Sequence, residues 1–180
     1  AFAALANAQI LTVTPAFPSQ NDTVTIIYDA TEGNGALTGV VPVYAHAGLI
    51  TNQSTSATDW RHVQGNWGTP DATVLMTNLG NNLHKIEYHM PTFYGFGSSV
   101  VVQQMAFVFR NGNGTIVGRD PNGNDIYYDV YPANAGLIAK FLGPSTTLLI
   151  NPGDSIEFIV ASNQKADMKV YDNGTLVFQD

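Results

Sequence analysis

Four residues in one short stretch have the types and spacing to act together. From Val41 to Trp67 the chain reads VPVYAHAGLITNQSTSATDWRHVQGNW, which brings Tyr44, His46, Trp60 and Trp67 within one strand–loop–strand distance. Aromatic rings beside short polar side chains make the surface a sugar needs: the apolar face of a pyranose stacks on a ring, and its hydroxyls meet neutral donors and acceptors. On a strand, Val41, Val43 and Ala45 alternate as the core face, so Tyr44 and His46 project together from the other, about 7 Å apart. Trp60 and Trp67 follow a Ser/Thr-rich loop, Asn52–Asp59, that can fold back beside them. For Trp67, which is followed by Gly68, the competing reading is a plug in the core, a common use of Trp in sandwiches.

Other chemistry is poorly served. His46, His62, His84 and His89 are candidate bases, but no Ser sits in a G-x-S-x-G elbow. A glycosidase needs two facing carboxylates about 5–10 Å apart, and Asp59, Asp71 and Glu87 have no spacing that points to such a pair. His84 and His89 fall on opposite faces of one strand, against a shared metal, and His62 reads as a solvated loop residue. The expectation is a chain without a catalytic site or cofactor. Asp120, Asn122, Asn124 and Asp125, with Asp129 beyond, place Asx oxygens around a Gly turn. Without a distal Glu they read as a hairpin turn, with a structural calcium ion as the alternative. Sequons at Asn21, Asn52, Asn113 and Asn173 are what an Asn- and Thr-rich chain produces by chance.

The elements that must position these residues have period two. Strands are expected over Thr23–Tyr28, Val41–Ala47, His84–Met90, Val100–Arg110 (Met105, Phe107 and Phe109 on its core face) and Asp125–Tyr131. Between them lie the turns Glu32–Gly35, Leu79–Asn82, Asn111–Gly114 and Asp120–Gly123. This pattern is an all-β chain, an Ig/fibronectin-like β-sandwich over 9–131. A linker at 132–136 leads to a second small β unit, 137–180, with strands at Gly136–Leu142, Thr146–Ile150, Ser155–Ala161, Met168–Tyr171 and Thr175–Phe178. So short a unit either docks on the first or is part of a longer protein. The strand before Asp180 lacks a closing element and favours the latter.

Composition bounds the partners. Only 12% of the 180 residues are charged and the net charge is −7, so no basic stripe exists for nucleic acid or for an anionic membrane. There are no cysteines, which removes disulfides, thiolate metal sites and a Cys nucleophile. Residues 1–8, AFAALANA, end in an A-x-A pattern and read as the remnant of a secretory signal peptide, with an ordinary first strand as the alternative; the expected location is outside the cell or on its surface.

The residues VYAHAGLIT…DWRHVQGNWGTPDATVLMTNLGNNLHKIEYHMP…MAFVFRNGNG…GRDPNGNDIYYDVY resemble the N-terminal modules of secreted α-amylase-family enzymes of Bacteroidetes-type bacteria. More loosely they are similar to the starch-binding modules of the twenty-fifth and twenty-sixth carbohydrate-binding families. The resemblance spans roughly Thr23–Tyr131, and the loop Thr51–Ser56 departs from it in length and polarity. It implies a non-catalytic starch-binding module that tethers a downstream glycoside hydrolase to α-glucan, with Tyr44, His46 and Trp60 as the platform and Trp67 as a further member. The competing expectation is a structural or adhesion sandwich of a surface assembly, its apolar N-terminus donated to a neighbour's sheet edge.

Overall fold

The structure, a computed structural model, describes residues 9–143, 151, 153 and 158–179. The expected signal remnant at 1–8 and the expected strand Thr146–Ile150 lie outside the described residues. The chain divides into two units, Ala8–Asn134 and Ala135–Asp180.

The first unit is an all-β sandwich. One sheet is antiparallel in the order β1 (Leu11–Thr14), β2 (Thr23–Asp29), β6 (Leu83–His89), β5 (Thr77–Gly80). In the other, β4 (Arg61–Gln64) pairs β3 (Tyr44–Thr51), and β3 pairs β7 (Val102–Arg110). The far edge of β7 takes β8 (Val117–Gly118) at its end and β9 (Ile126–Asp129) nearer its start. Period-two alternation builds the core. Val24, Ile26 and Tyr28 of β2 and Ile86 and Tyr88 of β6 face Ala45, Ala47 and Leu49 of β3 and Met105, Phe107 and Phe109 of β7. Tyr28 stacks on Phe109 across the layers, centroids 3.9 Å apart. Each large apolar side chain so buried contributes about 1.5–3 kcal/mol relative to exposure.

β3 differs from its expected span. It begins at Tyr44 and runs on through Thr51. Pro42 has no N–H to give a ladder, and Val41, expected in the core, is 61% exposed. The register pairs Tyr44 with Arg110, His46 with Val108 and Gly48 with Ala106. Tyr44 and His46 therefore do share the outer face of this sheet. Beyond β6, the expected strand gives way at Met90 to a short helix, α1 (Met90–Tyr94), with Pro at its start and Gly95 closing it at φ +67. His62, expected in a loop, lies in β4 with its ring edge-on to Phe96.

In the second unit β10 (Ala139–Gly143) pairs β11 (Ile159–Ser162), and β12 (Lys169–Asp172) pairs β13 (Thr175–Gln179). Asn163 secures the first pair by accepting from Ile138 N at 2.8 Å and donating to Gly136 O at 2.9 Å. Among its described residues only Gly143 is buried. No helix among the described residues is long and apolar enough to cross a membrane.

Candidate functional site

The outer face of the β3–β7 sheet carries the site. Gly48 of β3, Ala106 of β7 and Tyr127 of β9 stand in one row across it. The small pair leaves a depression that Trp60 fills: a Cβ on Gly48 would lie 2.9 Å from Trp60 Cε3. Trp60 Nε1 donates towards Tyr127 Oη at 3.4 Å. The loop Asn52–Asp59 does fold back, and polar side chains knot it. Ser54 Oγ donates to Asp59 O at 2.8 Å, and Asp59 Oδ2 accepts from Thr55 N at 2.8 Å and Arg61 Nη2 at 2.7 Å.

One step along β3, His46 lies between the two indoles. Trp60 is nearly parallel to it at 6.0 Å and Trp67 meets it edge-on at 5.2 Å. Its Nδ1 is 2.9 Å from Gly65 O. A carbonyl only accepts, so Nδ1 carries the proton and Nε2 is left as the ring's acceptor. Burial holds the His46 pKa below 6.5, with the Arg110 charge pushing the same way against Gly65 O and Asp125. The imidazole is therefore neutral near pH 7.

Around these rings opens a shallow pocket of about 320 Å³, lined by His46, Trp60, Trp67, Val63 and Val108, with Thr58, Arg119 and Asp125 as further polar groups. Trp67 is 49% exposed, which excludes the core-plug alternative. Arg119 and Asp125 form an ion pair at the wall. A turn from the other sheet fixes the Arg119 backbone: Asn34 N donates to Arg119 O at 3.0 Å and Arg119 N to Asn34 Oδ1 at 3.2 Å. Gly33, at φ +66, packs so close that a Cβ would overlap Arg119 O.

Of the four expected residues, His46, Trp60 and Trp67 line this pocket and Tyr44 does not. Tyr44 is 7% exposed. The segment after Trp67 folds over it, with Leu75 bridging to it and the Arg110 guanidinium 5.3 Å from its ring. Arg119 escaped the sequence reading because a lone Arg beside a turn carries no signal. Asp125 was assigned to the Asx turn.

The Asx oxygens read as a calcium alternative are otherwise engaged. Asp120 Oδ1 accepts from Asn122 N at 2.9 Å and Asn124 N at 2.7 Å, its Oδ2 accepts from Asn124 Nδ2, and Asp125 pairs with Arg119. Instead of the expected hairpin, these residues form an Asx-stabilised turn between β8 and β9, which both pair with β7 and not with each other. Among the described residues no three His, Asp or Glu side chains gather as metal ligands. The candidate carboxylates are equally committed. Asp71 accepts from Thr73 Oγ1 at 2.6 Å and Thr73 N at 3.0 Å, and Glu87 from Thr25 Oγ1 at 2.9 Å.

No curated protein matches the chain. The family match takes in β1 to the first residue of β8, and so His46, Trp60 and Trp67 but not Arg119 or Asp125. Over residues 11–117 the sequence matches the family described as a domain of unknown function (DUF8578), and the chain belongs to that family.

Proposed function

We propose that the sandwich is a non-catalytic carbohydrate-binding module for a neutral glycan, starch or a related α-glucan. One observation carries this reading: a shallow, open pocket sets two indoles around a neutral His46, with Thr58 and the Arg119–Asp125 pair within reach. Each stacked sugar ring would contribute on the order of 1 kcal/mol. His46 Nε2 and Asp125 accept from hydroxyls, and Arg119 donates. The indoles are strongly inclined to each other, which suits a curved glycan chain better than a flat one. The α-glucan identity and a glycoside hydrolase in the same polypeptide rest on the resemblance, and secretion on the A-x-A pattern of residues 1–8. In that setting weak binding raises the enzyme's effective concentration on its polymer.

Affinity electrophoresis tests the reading. In gels containing soluble starch the protein is expected to be retarded, and in gels with dextran or no polymer it should run freely. Trp67→Ala and Trp60→Ala should each remove most of the retardation. Equal mobility in all three gels would sink the starch reading.

The second reading, a subunit of a surface assembly, is favoured by one feature. Leu137, Phe141, Phe158, Tyr171, Val177 and Phe178 of the second unit are all exposed, an apolar display of the kind that marks association surfaces.

A further inference from the structure

We infer that Arg110 is a positioning residue, which sets the orientation of Trp67 from behind and thereby preorganises the pocket. The consequence for binding rests on the carbohydrate reading; the coupling of Arg110 to Trp67 does not.

Arg110 is 0% exposed and no carboxylate pairs with it among the described residues. Its charge is met by four backbone carbonyls instead. Nη2 donates to Asn66 O at 2.6 Å and Thr69 O at 2.9 Å, and Nη1 to Asn111 O and Gly112 O, both at 3.0 Å. The first two carbonyls bracket Trp67 in sequence. The other two belong to the hairpin on which the indole leans, since a Cβ on Gly114 would lie 3.0 Å from Trp67 Nε1. One guanidinium thus ties the segment carrying Trp67 to the wall behind it. The guanidinium also faces both rings, 5.9 Å from the Trp67 centroid and 5.3 Å from that of Tyr44.

The geometry calls for Arg and not merely a cation. A planar fork reaches four acceptors while stacking on an aromatic face, whereas an ammonium has three donors and no plane. Arg110 Nε is buried without a partner among the described residues, so the other guanidinium nitrogens carry its hydrogen bonds. Nearby Asp71 feels this charge, but its carboxylate is engaged by Thr73 and Asn66. Tyr44, expected to touch sugar, instead backs the cation that orients Trp67.

The test uses the Trp60→Phe protein, in which Trp67 is the remaining Trp of the two. Arg110→Lys is expected to leave far-UV circular dichroism intact. It should collapse the near-UV signal of Trp67, raise acrylamide quenching of its fluorescence and weaken starch affinity about tenfold, as loss of a desolvated cation–π contact implies. With Trp67→Ala already present, Arg110→Lys should cost no further affinity. An unchanged Trp67 signature, or equal affinity losses in both backgrounds, would overturn the inference. If the parent protein ignores starch, the carbohydrate reading fails and the spectroscopic arm still decides the coupling. If Arg110→Lys does not fold, NMR compares hydrogen exchange of the Arg110 guanidinium in wild type and Trp67→Ala. Faster exchange in the variant supports the coupling, and no change refutes it.

Discussion

At the scale of single residues, the second notable buried polar group is His84. It is 1% exposed, with its ring 6.4 Å from that of Tyr28, and neither its Nδ1 nor Tyr28 Oη has a partner among the described residues. Burial lowers its pKa below 6.5, so the folded chain resists a proton that the unfolded chain accepts near 6.5. Stability is therefore complete above that value and falls as pH drops below it, by at most about 1.4 kcal/mol per pH unit for one group. His46 adds in the same direction. Asp59, Asp71, Glu87 and Asp120, whose pKa values are also lowered, lose their contribution only below about 4, so the two windows separate. The thermal midpoint should fall between pH 7 and pH 5, and His84→Leu should flatten much of that fall. A wild-type midpoint that stays level over this range would contradict the assignment. His84 was legible in the sequence only as one of four candidate bases. Its face follows from alternation, but its missing partner depends on what the opposite sheet offers.

At the scale of elements, alternation was the legible signal, and it placed β2, β6, β7 and the shared face of Tyr44 and His46. It could not reveal exposure, because β3 is covered on both sides: by the opposite sheet and by the segments bearing Trp60, Trp67 and Leu75. Alternation therefore gives the face of Tyr44 but not its cover. The short strands β1, β4 and β5 have too few residues for a period, and α1 was masked by apolar Met90 continuing the β6 pattern. Its Pro-first, Gly-last signature was present in Met90-Pro91-Thr92-Phe93-Tyr94-Gly95. Gly48 shows how an element shapes the site. Its backbone tolerates a side chain, but a Cβ would fall 2.9 Å from Trp60 Cε3 and 3.2 Å from Trp60 Cβ. Gly48→Ala should push the indole off the strand, lowering stability by about 1–3 kcal/mol and reducing retardation by starch. In a Trp60→Ala protein, which keeps only the 3.2 Å contact to Cβ, the same substitution should cost clearly less, as urea titration of the four proteins can measure. Additive losses would mean that Trp60 does not rest on Gly48.

At the scale of the whole molecule, the two units differ in what holds them. Every member of the buried cluster lies between Leu11 and Val130, and the pocket uses residues from His46 to Asp125. Among its described residues the second unit shows two strand pairs whose large apolar side chains are mostly exposed, and two-stranded ribbons are marginal alone. The expected strands Met168–Tyr171 and Thr175–Phe178 correspond to β12 and β13, and Asn173 and Gly174 between them supply the left-handed residues a tight hairpin needs. What completes it is a matter of burial partners, which a strand pattern does not specify. A chain ending after Asn134 should therefore keep the thermal midpoint of the sandwich within a few degrees and keep its behaviour in starch gels, while self-association at high concentration should fall. Sedimentation velocity on both chains reads the last effect. A truncated chain that unfolds many degrees lower would mean the sandwich depends on its neighbour. A chain that stays folded but no longer responds to starch would move part of the binding surface beyond Asn134 and away from the Trp60–His46–Trp67 pocket.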